Sequence, residues 1–303
     1  MPLSTQAVVE RKPLGAGQPT PATPGDGVQL RLVPCPALHL PIQLTSFVGR
    51  ALELTAVIEL LDSARLLTLT GPGGCGKTRL AFRAAEELAG SYADGVWCVE
   101  LAGLEDAALL PQTVAHAFGA REQPGRSAVD AVAEHLQLKR MLLVLDNCEH
   151  LVAASARLAI TLLRACPHLR ILATSREALR IDGEQIFLVP PLALRPLPTH
   201  LRTAATERRS AGAGNWQTIS ESEAVELFVA RASARVPTFR LTAENAPAVA
   251  QICQHLDGLP LAIELAAARI NVLPVEQLAT RLDHDLRLLV GGSRTTLRRH
   301  QTI

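Results

Sequence analysis

The chain has 303 residues, of which 48% are hydrophobic and 19% are charged. A sequence this apolar can bury a core, which excludes wholesale disorder, and its length suits one large domain or two modest ones. The 30 basic and 29 acidic side chains leave a formal net charge of +1, which argues against holding a nucleic acid by bulk electrostatics.

The apolar runs and the cysteines indicate the cellular compartment. No apolar run approaches the roughly 18–20 residues that cross a bilayer, and the start MPLSTQAVVERKPLG lacks the apolar stretch of a secretory signal. The six cysteines show neither CxxC pairs nor the spacing of metal ligands. We therefore expect a cytoplasmic protein with reduced thiols and no membrane contact.

The first part of the chain divides near residue 40. Residues 1–40 are rich in proline and glycine without helical or strand periodicity, which predicts a disordered leader. In residues 41–190, short apolar runs alternate with longer stretches of helical spacing. The runs predicted to be strands are Leu66–Thr70, Val96–Leu101, Met141–Asp146, Arg170–Ser175 and Gln185–Val189. This alternation is typical of a parallel sheet covered on both faces, so we predict an α/β domain.

The second part of the chain is predicted to be helical. Prolines and a Ser/Arg/Gly/Ala-rich stretch predict a linker over residues 191–219, followed by a small helical bundle over 220–290 and a tail over 291–303. Ser220 and Glu223 have the spacing of a capping box. Gly258 suits a left-handed helix stop, and Pro260 suits the first turn of the next helix.

The strongest motif is GPGGCGKT at residues 71–78, which matches the pattern GxxxxGK[ST]. Its glycines let backbone N–H groups point at phosphate oxygens, and the helix that follows adds its positive end. Lys77 is predicted to reach the β- and γ-phosphates and Thr78 to ligate Mg²⁺. A glycine-rich turn without a ligand is the alternative, but the motif follows an apolar strand and opens a helix. The residues assigned to nucleotide binding here are Gly71, Gly73, Gly74, Cys75, Gly76, Lys77, Thr78 and Arg79.

Two further strand ends supply polar groups. Asp146 ends the apolar run MLLVLD, where a carboxylate is costly unless it meets a cation or donors, so we assign it to Mg²⁺ with Thr78. A helix-capping aspartate is the alternative. Arg176 follows the strand RILATS and is predicted to read a γ-phosphate, with a surface arginine as the alternative. Lys77, Asp146 and Arg176 form the predicted catalytic set.

The residue after the acidic strand end is Asn147, which is a poor base. Many P-loop ATPases have a carboxylate there to orient the attacking water. Glu149 is close enough in sequence to substitute, but the sequence leaves the direction of its side chain open. Nucleotide binding is therefore predicted more firmly than fast hydrolysis.

Five segments together resemble one family. In chain order they are Phe47–Arg50 (FVGR), Gly71–Thr78, Leu142–Asp146 followed by NCEH, Ala173–Arg176 (ATSR) and Gly258–Ala262 (GLPLA). This order resembles the STAND class of P-loop ATPases and, within it, the NB-ARC-like domains of bacterial SARP- and LuxR-type transcriptional regulators. The resemblance covers residues 41–290.

The resemblance implies a sheet of five parallel strands in the order 5-1-4-3-2 and specific roles for several residues. Val48 and Arg50 would line the adenine pocket, Pro260 would press on the base, and Arg176 would sense the γ-phosphate. A winged-helix subdomain follows the helical one in that family. Because this sequence stops at Ile303, where that subdomain would begin, we expect a truncated or split copy.

The expected function is a regulatory switch that binds ATP or ADP with Mg²⁺. ADP would hold a closed form, and ATP would favour an open form that binds a protein partner or a second copy. The poor base predicts slow hydrolysis. The alternatives are an enzyme with steady turnover, such as an AAA+-like ATPase or a P-loop kinase, and an inactive remnant. Direct DNA contact is not expected, since no helix-turn-helix or zinc pattern is visible.

Overall fold

This computed structural model describes residues 38–120, 125–194 and 219–282. Its strands are β1 (Leu38–His39), β2 (Leu66–Thr70), β3 (Val96–Glu100), β4 (Met141–Asp146), β5 (Leu169–Thr174) and β6 (Glu184–Leu188). They form one six-stranded parallel sheet with the order β1-β3-β4-β5-β2-β6. The carboxyl ends of all six strands therefore lie at the same edge of the sheet, which is where parallel sheets bind ligands.

Helices cover both faces of this sheet. They are α1 (Ala51–Ser63), α2 (Lys77–Leu88), α3 (Leu110–Ala117), α4 (Ala128–Leu136) and α5 (Val152–Ala165). Because side chains alternate along a strand, Leu142 and Val144 of β4 enter the core beneath α1 and α2, whereas Leu143 and Leu145 enter the core beneath α3–α5. All four are fully buried, and each contributes about 1.5–3 kcal/mol. Burial on both faces explains why this strand is an unbroken apolar run.

The α/β class is confirmed, but the predicted number of strands is wrong. Read from β6, the sheet runs β6-β2-β5-β4-β3, which is the predicted order 5-1-4-3-2, and β1 adds a sixth strand beyond β3. The pair Leu38–His39 was assigned to the leader because two residues show no strand periodicity. These two residues join the sheet through a contact that is distant in sequence. They pair with β3, and the His39 ring stacks on Trp97 with ring centroids 3.7 Å apart.

The C-terminal part is a bundle of four described helices. They are α6 (Glu223–Arg235), α7 (Ala246–His255), α8 (Pro260–Ala267) and α9 (Val275–Leu282). One apolar face of each helix enters a common core, represented by the fully buried Phe228, Ile252, Ile263 and Leu278. Within the ranges that the structure describes, no helix has both the length and the apolar character needed to cross a bilayer.

The predicted capping box at Ser220 is wrong. Helix α6 begins after Ser222, whose hydroxyl donates to Ala193 O at 2.8 Å. The carboxylate of Glu223 is engaged elsewhere, since its Oε2 accepts from the backbone N–H of Ala193 at 3.3 Å. Most of the predicted leader and linker, the end of the predicted bundle and the tail lie outside the described residues, so those boundaries stay predictions.

Gly258 follows α7 with a φ of 67°, the left-handed conformation predicted for it, but the first left-handed residue after the helix is Asp257, with a φ of 50°. The carbonyl of Gly258 accepts from Leu192 N at 3.0 Å, and a Cβ at this position would lie 2.5 Å from Leu192 O. The bundle is therefore fastened to the segment that leaves β6 at a point where only glycine fits.

Gly258→Ala is expected to lower the free energy of unfolding by about 3 kcal/mol, because it combines left-handed strain with a backbone clash. Gly119→Ala is the matched control, since Gly119 has a φ of 62° but open space around its Cβ position. The control should lose only about 1 kcal/mol. Urea denaturation of both variants measures the difference, and equal losses would show that the contact with Leu192 is immaterial.

Candidate nucleotide site

The phosphate-binding loop joins β2 to α2 at the carboxyl edge of the sheet. Gly74 and Gly76 have φ values of 75° and 93°, conformations that side chains other than glycine adopt only with strain. Lys77 is buried, and its Nζ donates to Gly71 O at 2.9 Å and to Pro72 O at 3.0 Å. Two carbonyl groups of the loop thus hold the ammonium group of Lys77 inside it.

Asp146 is buried and accepts two hydroxyl hydrogen bonds. Thr78 Oγ1 donates to its Oδ1 at 2.6 Å, and Thr174 Oγ1 donates to the same oxygen at 2.7 Å. The alternative role as a helix cap is not seen, because the next helical turn follows Asn147. Mg²⁺ favours one or two carboxylates together with hydroxyl, water and phosphate oxygens, so this donor set fits it. The described residues hold no cluster of three or more His, Cys, Asp or Glu side chains suited to a metal.

Glu149 and Arg176 meet at the same edge. Glu149 Oε1 lies 3.4 Å from Arg176 Nε, and the Glu149 side chain is 19% exposed against 58% for Arg176. Asn147 has a φ of 68°, and its Nδ2 lies 3.5 Å from His150 Nδ1. The structure thus answers the question that the sequence left open, since Glu149 lines the cleft above the loop.

That cleft has a volume of about 340 Å³ and brings together most of the residues assigned from the sequence. The predicted residues that line it are Gly73, Gly74, Gly76, Lys77, Thr78, Arg79, Asp146, Arg176 and Pro260. Gly71 and Cys75 belong to the loop but do not line the cleft, and the Cys75 side chain is buried beneath it. The predicted catalytic set, Lys77, Asp146 and Arg176, therefore shares one cavity.

Val48 and Arg50 line a neighbouring cavity together with Pro260. Its volume is about 30 Å³, roughly the space of one water molecule, so a purine would enter only after the surrounding groups separate. This is the place where the resemblance puts the adenine base. In this structure, Val48 and Arg50 on one side of the pocket lie too close to Pro260 on the other side to leave room for a base.

Arg50 ties the loop to the helical bundle. Its backbone N–H donates to Glu223 Oε1 at 2.5 Å, and its Nη2 donates to Cys75 O and, at 2.9 Å, to Pro190 O. The guanidinium is buried, which lowers the pKa of Arg50, and within the described ranges its Nη1 has no hydrogen-bond partner. Arg50 therefore supports the loop in addition to lining the small cavity.

A second group of contacts between the domain and the bundle escaped the sequence analysis. Arg79 Nη2 and Arg231 Nη2 both donate to Ser46 O at 2.8 Å, and Arg231 Nε donates to Glu264 Oε1 at 2.8 Å. Burial lowers the pKa of Arg79. The signals in the sequence are two charged residues, Arg231 and Glu264, each within a helix whose neighbouring positions are apolar.

Residues 60–181 match the family model described as an AAA domain. An uncharacterised protein of Mycobacterium tuberculosis is 40% identical over 260 residues, which cover 86% of this chain and 60% of that protein. A second protein of the same species, provisionally named an HTH-type transcriptional regulator, is 43% identical over 244 residues, which cover 80% of this chain and 24% of the relative. The chain thus spans 60% of the length of the first relative and 24% of the second, in both cases less than two thirds.

Among solved structures, a STAND protein with a tetratricopeptide repeat sensor from Pyrococcus horikoshii is similar with a TM-score of 0.46 and 16% identity. The match covers 80% of this chain and 33% of that one. By the family model, residues 60–181 are similar to an AAA domain, and the similarity to a provisionally named transcriptional regulator extends over 80% of this chain.

Proposed function

We propose that the chain is a nucleotide switch that binds ATP or ADP with Mg²⁺ in the cleft above residues 71–78. The observation that carries this proposal is the direct contact between the loop and the bundle. Leu261 N, in the first turn of α8, donates to Gly74 O at 3.2 Å. A Cβ on Gly74 would lie 2.9 Å from that of Leu261. A ligand that moves the loop must therefore act on the bundle as well.

In this proposal, different residues bind the phosphates and the base of the nucleotide. Lys77 and the loop backbone hold the phosphates, while Val48, Arg50 and Pro260 surround the base once the small cavity opens. Thr78 and Asp146 hold Mg²⁺, which withdraws charge from the phosphates when it is bound. Since the small cavity must widen to admit a purine, nucleotide binding is coupled to the position of α8.

The switch depends on a difference between the two nucleotides. A ligand shifts an equilibrium only by its differential affinity for the two states. The γ-phosphate, present in ATP alone, would add negative charge beside the Arg176–Glu149 pair. Both nucleotides widen the small cavity to admit the base. We infer that ADP then keeps the bundle against residues 71–78 as the closed form, whereas ATP favours an open form in which the bundle binds a protein partner or a second copy. This is the role expected of an NB-ARC-like module in a STAND-type transcriptional regulator.

The proposal predicts binding with slow turnover. We expect ADP and ATP to bind, ADP to co-purify, and phosphate release to stay well below the roughly 1–10³ s⁻¹ of ordinary enzymes, because Asn147 cannot accept a proton and the nearby carboxylate of Glu149 is paired with Arg176. Calorimetry and phosphate-release assays on the whole chain measure both quantities. Release faster than about one per second would favour the enzyme reading instead. Failure to bind either nucleotide would favour an inactive remnant.

A further inference from the structure

Glu149 carries a feature that nucleotide binding alone does not use. Its Oε2 is fully buried and has no hydrogen-bond partner among the residues that the structure describes, although Oε1 pairs with Arg176. A buried acceptor without a donor costs about 1–3 kcal/mol, so such groups are rare in folded proteins. This oxygen belongs to a side chain that lines the cleft together with Lys77, Thr78 and Asp146.

Contacts of the residues before and after Glu149 in the chain hold it in this position. On one side, Asn147 N donates to Thr174 Oγ1 at 2.8 Å, and the φ of 68° at Asn147 turns the chain back toward the sheet. On the other, His150 Nε2 lies 2.9 Å from Leu104 O. Between them, Cys148 is fully buried, which raises the pKa of its thiol to about 12 and keeps it neutral. The short turn that carries Glu149 is therefore fixed.

We propose that Glu149 activates the water that attacks the γ-phosphate, and that Arg176 restrains it until ATP is bound. This inference rests on the proposed function, because it assigns the hydrolytic step of the same site. Asn147 occupies the usual place of the base, but its amide cannot accept a proton and lies beside His150. Glu149 supplies the missing carboxylate from two positions further along the chain.

The step balances with water and Mg·ATP as the reactants. The Glu149 carboxylate takes a proton from water as the water oxygen bonds to the γ-phosphorus. The bond from that phosphorus to the β–γ bridging oxygen breaks, and its electron pair leaves with ADP. Phosphate is then released, and Glu149 returns its proton to solvent.

Arg176 gives this step a dependence on the γ-phosphate. Its side chain is more than half exposed, so it can leave Glu149 without breaking a packed core. A γ-phosphate offers it a partner of higher charge than the carboxylate, in a geometry that a guanidinium matches. Once Arg176 has turned to the phosphate, Glu149 is free to accept a hydrogen bond from water. When ADP is bound, Arg176 stays paired with Glu149.

The test compares Glu149→Gln with wild type in single-turnover phosphate release from Mg·ATP, alongside calorimetric affinities for ATP and ADP. Glutamine keeps the size of the side chain but cannot take a proton. We expect a rate at least about 100-fold lower, within the range of general-base catalysis, with both affinities retained. Glu177→Gln is the matched control, because Glu177 forms a similar pair with Arg180 at 3.2 Å but does not line the cleft. Its rate should equal that of wild type.

The possible results separate this inference from the proposed function. A wild type that binds no ATP overturns both. If wild type binds ATP and Glu149→Gln hydrolyses it at the wild-type rate, only the role of Glu149 is overturned. The same holds if wild type binds ATP without any hydrolysis. Arg176→Ala adds a second readout, since it should reduce the preference for ATP over ADP; an unchanged preference would overturn the restraint by Arg176.

Discussion

Lys77→Ala is expected to weaken the binding of ADP and ATP by about 100-fold, which corresponds to about 2.8 kcal/mol. The ammonium group lies inside the loop, held by Gly71 O and Pro72 O, and it is positioned to donate to the phosphates. Hydrogen bonds to charged groups contribute about 1.5–3 kcal/mol, so the loss of this single cation accounts for most of the effect. Alanine is the best helix former, so α2 and the fold should persist.

Titration calorimetry with both nucleotides measures this loss, and thermal unfolding without nucleotide checks that the fold is intact. Lys139→Ala is the matched control, because Lys139 lies just after α4 and bonds the His135 ring on the surface. It should bind as wild type does. An unchanged affinity in Lys77→Ala would refute the assignment of residues 71–78 as a phosphate-binding loop.

What could be predicted from the sequence is what depends on neighbours in the chain. The run Met141–Asp146 is buried on both faces and is therefore apolar throughout, so its type and bounds were correct. The glycines of the loop and Gly258 suit the local backbone conformation, so turns at these positions could also be predicted. Because these signals lie within a few residues, periodicity and turn chemistry are enough to read them.

What could not be predicted depends on partners distant in sequence. Glu223 looked like half of a capping box, but its carboxylate bonds Arg50, which is 173 positions away. Arg231 bonds Ser46 at a separation of 185 positions. The direction of Glu149 is set by anchors on Thr174 and Leu104, which belong to other parts of the fold. No local pattern encodes such contacts.

In the proposed switch, these distant contacts are what would let one ligand control the position of the bundle. Segment 45–50 lies between the two halves, and Ser46 O accepts hydrogen bonds from both of them, through Arg79 of α2 and Arg231 of α6. The small cavity of about 30 Å³ is lined in part by the same three residues, Ser46, Arg79 and Arg231. A purine that enters it must rearrange contacts on both sides, so base binding and bundle position cannot vary independently.

ADP is accordingly expected to slow amide hydrogen exchange at residues 256–264 as well as at 71–78. The hydrogen bond from Leu261 N to Gly74 O joins these segments, so an opening that releases one exposes the other. At an ADP concentration of about 100 Kd, binding stabilises the closed form by about 2.7 kcal/mol, which is roughly a 100-fold slowing of exchange. The same experiment on Lys77→Ala should show protection in neither segment at that concentration. If ADP protected 71–78 in wild type but left 256–264 unchanged, the bundle would not be part of the nucleotide site. That result would refute the coupling through α8, but it would leave the assignment of the phosphate-binding loop intact.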